Sequence, residues 1–299
     1  MCRRNAGRRA PNRVENIGAP VNTKSAKPTG RPPRWLDHLE LPLVLFAAWL
    51  ALISIPIHIG HIGLSWDGLN HHIYLGWVAE KNRFEQDYMA ASLQAYQFPY
   101  LYWPAYKLAI SGFDGRTAGV LLATMHLINV PPVWLMARTL MPEKTWFGLS
   151  LRFSAVALAF MSAVPLKILE ATGNDLLAAA PFLWALAIGL AGTATTNPVR
   201  RRIGTLRALA VGLLGGVAIA SKLSNGPLAL LLPMVFLFYD SPPRDRISWA
   251  AICAASIVTG FALSYGYWGY QLWFHFGNPF FPFYDSYFEH LRAAAGWRR

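Results

Sequence analysis

Long apolar runs separated by short polar stretches dominate the chain from residue 41 onward. A helix needs about 20 mostly uncharged residues to cross a bilayer. About seven runs approach that length: Leu41 to Gly60, Thr117 to Ala137, Phe153 to Leu169, Asp175 to Thr193, Arg207 to Ser221, Pro227 to Tyr239 and Ser248 to Trp273. Pro165 interrupts the third, and the run from Pro227 is barely long enough. The pattern predicts an all-α integral membrane protein with about seven transmembrane helices. The loop between the first two spans, residues 61–116, is more than a linker. Trp66, Leu69, Ile73 and Trp77 recur at helical spacing, while Asp67, Asn70, His71 and Tyr74 fall on another face. This predicts an amphipathic helix at the membrane interface, with its aromatic rings at headgroup depth. Tyr96 to Pro104 is dense in aromatic residues and predicts a second interfacial or re-entrant segment.

Charge gives these elements an orientation. Positive loops stay on the cytoplasmic side of a membrane. Residues 1–40 carry nine Lys and Arg against three Asp and Glu, a net +6 and half of the chain's +12. They have no apolar period, so they predict a disordered, basic cytoplasmic tail. Alternate loops then hold Arg138, Lys144 and Arg152; Arg200, Arg201, Arg202 and Arg207; and Arg244 with Arg246. The opposite loops are mixed, acidic or nearly uncharged. The N-terminus is therefore expected in the cytoplasm and the C-terminus outside the cell membrane, with residues 41–273 forming the membrane module and 274–299 an outer C-terminal segment. A cleaved signal peptide at Leu41 to Gly60 fits poorly, because the leader is too long and no A-x-A site follows.

With 54% apolar and 14% charged residues and a mean hydropathy of +0.30, the composition does not fit a water-soluble surface. The basic balance sits in the tail and in cytoplasmic loops, which points to membrane lipid and not to nucleic acid as its partner. Two cysteines, Cys2 and Cys253, are too few for a disulfide framework, a Cys-ligated zinc site or an iron–sulfur cluster. The chain has no Walker loop, no G-x-G-x-x-G after a strand, no H-E-x-x-H and no G-x-S-x-G, which removes the common nucleotide, zinc-protease and serine-hydrolase readings.

The ionisable residues that the charge rule leaves unexplained fall at the outer ends of the helices: Asp67, His71, His72, Asp87, Lys167, Glu170, Asp175, Lys222 and His275. Charges at such depth are costly unless they pair or mark a site. Asp67 and His71 are four apart and share a helix face. A carboxylate beside an imidazole could take a proton from an incoming hydroxyl, or Asp67 could simply cap the helix that follows Ser65. His72 is expected to point about 100° away from His71, which disfavours a metal site built from the two. Asp175 could cap the next helix, and Lys167 could pair with Glu170. Lys222 on an outer loop runs against the charge rule. It could snorkel to headgroups or serve as a cation for a lipid phosphate. His126 and Asn129, before Pro131-Pro132 in the second span, are read as a kink with local hydrogen bonds. Phe276-Gly277-Asn278-Pro279-Phe280-Phe281-Pro282-Phe283 ends the last span in an extended turn whose phenylalanines are expected in the membrane interface.

Trp66-Asp67-Gly68-Leu69-Asn70-His71-His72, Glu170-Ala171-Thr172-Gly173-Asn174-Asp175, Ala218-Ile219-Ala220-Ser221-Lys222-Leu223-Ser224-Asn225 and Phe276-Gly277-Asn278-Pro279-Phe280-Phe281-Pro282 resemble, in order, segments of little-characterised bacterial relatives of the GT-C membrane glycosyltransferases. The likeness runs from about Leu41 to Phe288. It implies a seven-helix module, a long first outer loop with an essential acid at Asp67, and a polyprenyl-phosphate-linked sugar as donor. The implied reaction is inverting transfer to an acceptor hydroxyl at the outer face, the acceptor itself being left open. Asp67 would be the catalytic base, and His71, Glu170, Asp175 and Lys222 would contact substrate. Lys222, or a divalent metal held by Glu170 and Asp175, would offset the charge on the departing phosphate. Relatives continue into further helices past the position of Phe283-Tyr284-Asp285, so the resemblance also implies truncation after the module and an incomplete acceptor site. The rival readings are a lipid or solute transporter or flippase, and a membrane subunit without chemistry.

Overall fold

A computed structural model describes residues 30, 32–33, 35–61, 63, 65–161, 172–193 and 199–297. The described residues are helical apart from turns and one four-residue extended segment, Ala90–Leu93. In chain order the helices are α1 (Leu36–Ile59), α2 (Ile73–Val78), α3 (Trp103–Ile110), α4 (Gly115–Met125), α5 (Val130–Leu140), α6 (Trp146–Phe160), α7 (Asp175–Thr193), α8 (Arg201–Ser221), α9 (Pro243–Phe276) and α10 (Asp285–Ala294). A 3₁₀ turn, His126–Asn129, joins α4 to α5 in one continuous span, Gly115–Leu140.

Among the described residues, five helices are long and apolar enough to cross a membrane: α1, the α4–α5 span, α7, α8 and α9. Trp146–Phe160 and Leu223–Phe238 are shorter apolar helices, the first overlapping the third predicted run at residues 153–160 and the second covering most of the sixth. Part of the third run, with Lys167, and Glu170 after it lie outside the described residues, as does most of the basic tail. Phe46, Leu158, Val258 and Leu263 stay exposed on helix flanks, Leu263 at 78%. Such a surface is stable only against lipid, so the protein is membrane-embedded.

The helices form two groups. α1, α4, α5 and α6 pack together around Val44, Val130, Trp134 and Val156. α7, α8 and α9 enclose Ala208, Val211, Phe236, Trp249 and Cys253 with the 3₁₀ segment Leu232–Phe238. Contact between α5 and α7 joins the groups. The tightest seam is α8 on α9, where glycine lets the backbones meet. A Cβ on Gly216 would stand 2.2 Å from the Ile257 carbonyl oxygen, and one on Gly260 would stand 2.3 Å from that of Leu213. Small residues play this role wherever helices associate in lipid.

Several sequence expectations need correction. α1 begins at Leu36 and not at Leu41, because Glu40 is neutralised inside the bundle. Arg152 is no loop charge: it sits in α6, buried, and its Nε and Nη2 donate to the two Glu40 oxygens at 2.6 and 3.0 Å. Trp134 Nε1 donates to Glu40 Oε1 at 2.9 Å, and the Met141 and Glu143 carbonyls accept from Arg152 Nη1. Arg207 likewise lies within a helix, α8. The segment Tyr96 to Pro104 is partly buried, Tyr96 lying against Ala220 of α8 and Trp268 of α9. It turns twice as 3₁₀ helix and leads into α3, and Trp268 Nε1 on α9 donates to the Tyr96 carbonyl at 3.2 Å. Phe276 and Phe281 stack at 4.3 Å within that aromatic cluster, while Phe283 stays exposed.

Candidate functional site

The site begins with the helical stretch that follows Ser65. Ser65 Oγ accepts from the Gly68 amide at 3.0 Å, which makes Ser65 the cap. Asp67 already has helical backbone angles, and its side chain makes no capping bond. Its carboxylate is half exposed and not committed to the helix end. From Gly68 to His72 the winding widens to a π-helix, a feature frequent at functional sites. Gly68 presses against Thr172: a Cβ there would stand 2.8 Å from Thr172 Oγ1.

This stretch is amphipathic in the reverse of the soluble sense. Trp66 and Leu69 point outward, 73% and 70% exposed, while His71 and His72 are buried at 4% and 7%. Adjacent as they are, both imidazoles lie on the protein side, their rings edge to face at 4.4 Å. His72 Nδ1 lies 2.8 Å from Thr172 Oγ1, and its ring stacks on Tyr102 at 4.8 Å. His71 Nδ1 makes no hydrogen bond, and Asp67 Oδ1 stands 3.8 Å away, beyond hydrogen-bond length. Burial lowers the pKa of His71, with Asp67 opposing, and burial takes that of His72 down to about 4. Burial also raises the pKa of Tyr102. All three rings are therefore neutral near pH 7.

The opposite wall is made by the ends of α7 and α8. Asp175 opens α7, Lys222 follows the last residue of α8, and the two form an ion pair. Asn225 holds the ends together, donating to the Ala178 and Ala218 carbonyls at 3.1 and 3.0 Å. Asn129, in the break between α4 and α5, donates to the Leu176 carbonyl at 2.9 Å. Leu176 also packs against Leu52 and Ala123, seven and eight residues inside α1 and α4. At 1.5 Å per residue, α7 starts about 10 Å of helix length below the ends of its neighbours, so this wall is recessed.

Together these groups bound a cleft of about 260 Å³ lined by Asp67, His71, His72, Gln94, Gln97, Tyr102, Asn174, Asp175 and Lys222. Of the residues singled out in sequence, Asp67, His71, Asp175 and Lys222 meet here, and Glu170 lies outside the described residues. Asp87 is drawn elsewhere, bound by Arg83 and the Tyr74 hydroxyl. His275 lies beside Asn82 and Phe84. Sequence reasoning missed Tyr102, Asn174, Gln94 and Gln97. Tyr102 and Asn174 were within quoted motifs, but neutral polar side chains give no signal until a fold collects them. Asp175 gives one oxygen to Lys222, and among the described residues no three His, Cys, Asp or Glu side chains group as metal ligands.

The cleft continues. Gln97, Tyr102, Asn174 and Lys222 also border a throat of about 170 Å³ walled by Tyr96, Phe98, Tyr265 and Phe281. Leu223 of the throat also lines a separate, open apolar groove of about 600 Å³, bounded by Ile219 of α8, by Ile257 and Phe261 of α9, and by Phe280, Tyr287 and Phe288. Polar, aromatic and apolar environments thus lie next to one another. No family model matches this chain, and neither a curated protein nor a solved structure matches it significantly.

Proposed function

We propose that the protein is a membrane glycosyltransferase that moves a sugar from a polyprenyl-phosphate donor to an acceptor hydroxyl at the outer face, with inversion. The observation that carries this reading is the neighbourhood of a polar cleft, an aromatic throat that shares Gln97, Tyr102, Asn174 and Lys222 with it, and an apolar groove that meets the throat at Leu223. It suits one amphiphile with a sugar at Asp67, a phosphate near Lys222 and a tail along α9 and α10. The resemblance to GT-C enzymes points the same way. On this reading the two short apolar helices join the five long ones as seven spans, the N-terminus lies in the cytoplasm and the C-terminus outside. The stretch from Trp66 to Val78 floats at the interface with its apolar face in lipid.

In the reaction the acceptor oxygen attacks the anomeric carbon, its O–C bond forms, and the bond from that carbon to the phosphate oxygen breaks with its electron pair. The acceptor proton passes to the Asp67 carboxylate. The transition state resembles an oxocarbenium ion, as in other glycosyl transfers. His71, neutral and buried, keeps the Asp67 side of the cleft free of a competing cation, and Lys222 faces the charge that gathers on the leaving phosphate.

Asp67→Asn tests the assignment. Ser65 carries the cap, so the variant should fold and melt like the wild type. Release of polyprenyl phosphate from a polyprenyl-phosphate sugar, in the presence of cell-envelope acceptor, should fall by about 10²- to 10⁴-fold, the usual worth of a general base. Near-normal release would remove Asp67 from the chemistry. A transporter reading draws on one observation: the side chains of His126 and Asn129 are buried inside the α4–α5 span, and His126 has neither ring nitrogen hydrogen-bonded. It makes His126, and not Asp67, the sensitive position.

A further inference from the structure

Lys222 borders both the polar cleft and the aromatic throat, so a headgroup lodged between them meets its ammonium. That ammonium is already engaged by Asp175. Both side chains are about half exposed, and an ion pair in such a setting is weak. Each partner also has a second source of stabilisation. Asp175 lies in the first turn of α7, where the helix dipole favours an anion, and Lys222 follows the last turn of α8, where it favours a cation. Opening the pair strands neither charge. His71 gives an independent sign that the cleft takes a ligand: the residue lines the cleft, and its buried Nδ1 has no hydrogen bond, the Asp67 carboxylate standing 3.8 Å away, whereas buried polar atoms are seldom left so.

We propose that Asp175 is a built-in competitor at Lys222, holding the cation until the phosphate headgroup of an incoming amphiphile takes its place. The inference rests on the reading of the groove as a site for a phosphate-headed lipid. No covalent bond changes in the exchange. One anion replaces another at Lys222, and Asp175 turns back to the amides of its own helix. The pair would also keep the cleft and throat from holding a bare cation between ligands.

The test measures binding of dodecyl phosphate and of inorganic phosphate to the full chain in non-ionic micelles by calorimetry, with thermal melts to check folding. Asp175→Asn should bind dodecyl phosphate up to about fivefold more tightly, the most that removal of an exposed ion pair returns. Lys222→Gln should bind it about tenfold or more weakly, as expected for loss of a charged hydrogen bond. Asp175→Ser should repeat the Asn result if Asn disturbs the turn. Inorganic phosphate should rank the three proteins in the same order but bind each more weakly, since it lacks the tail. Equal or weaker binding by both Asp175 variants, with Lys222→Gln still impaired, would overturn the inference and leave the reading of the groove standing. Binding unaffected by Lys222→Gln, or absent from every form, would overturn both. Inorganic phosphate as tight as dodecyl phosphate would remove the lipid from the site.

Discussion

Burial keeps the imidazoles of His71 and His72 uncharged, and this sets a limit on acid stability. The unfolded chain protonates His72 near pH 6.5, whereas the native protein holds its pKa at about 4. Between these values the unfolded state binds the extra proton. The contribution of His72 is therefore complete above about pH 6.5 and is lost as the pH falls toward 4. We expect the thermal midpoint in detergent to drop between pH 7 and pH 5, and His72→Gln, which can keep a hydrogen bond to Thr172, to drop less. Equal drops would assign the acid sensitivity to other groups. At this scale the sequence was only partly legible. The four-residue spacing of Asp67 and His71 put the two side by side, as they are. Spacing could not decide between cap and base, because it did not show that Ser65 makes the capping bond. Nor could spacing show that both imidazoles are buried on the protein side, since that depends on Thr172 and Tyr102, far off in the chain.

Where α1, α5 and α6 meet, Glu40, Trp134 and Arg152 form a buried network. Arg152→Ala should destabilise the protein by about 3–5 kcal/mol, because it leaves Glu40 buried without its cation. Unfolding in mixed micelles measures this. A loss below about 1 kcal/mol would mean that water reaches the pair. Replacing Glu40 and Arg152 together by Met should recover most of the loss. Hydropathy located the apolar parts of all these elements but assigned Arg152 to a loop and began α1 at Leu41. A charged residue counts against a span when its partner is unknown, and here the partner lies 112 residues away in the chain. Nor could hydropathy show that rings of the aromatic run from Tyr96 and of the Phe-rich turn after α9 meet in one cluster, because aromatic rings at a helix end look alike whether they face lipid or each other.

For the whole molecule, the alternation of basic and other loops predicts which end of the bundle faces out. In a Cys2→Ser background, a membrane-impermeant thiol reagent added to intact cells should modify Tyr88→Cys and spare Arg202→Cys. The reverse pattern would turn the cleft toward the cytoplasm and remove the proposed acceptor side. The bundle also has a mechanical character, set by the seam of α8 and α9. Backbones that touch at Gly216 and Gly260 leave no side-chain layer to shear, and close-packed interiors yield little. The two helices therefore move as one strut, which fixes Lys222 at one end of α8 relative to Tyr265 and Trp268 on α9. A vise with one such jaw opens only from the other side. The parts that can give are the stretch around His71 and Tyr102 and the first turn of α7, so stiffening those, and not the strut, should slow the protein.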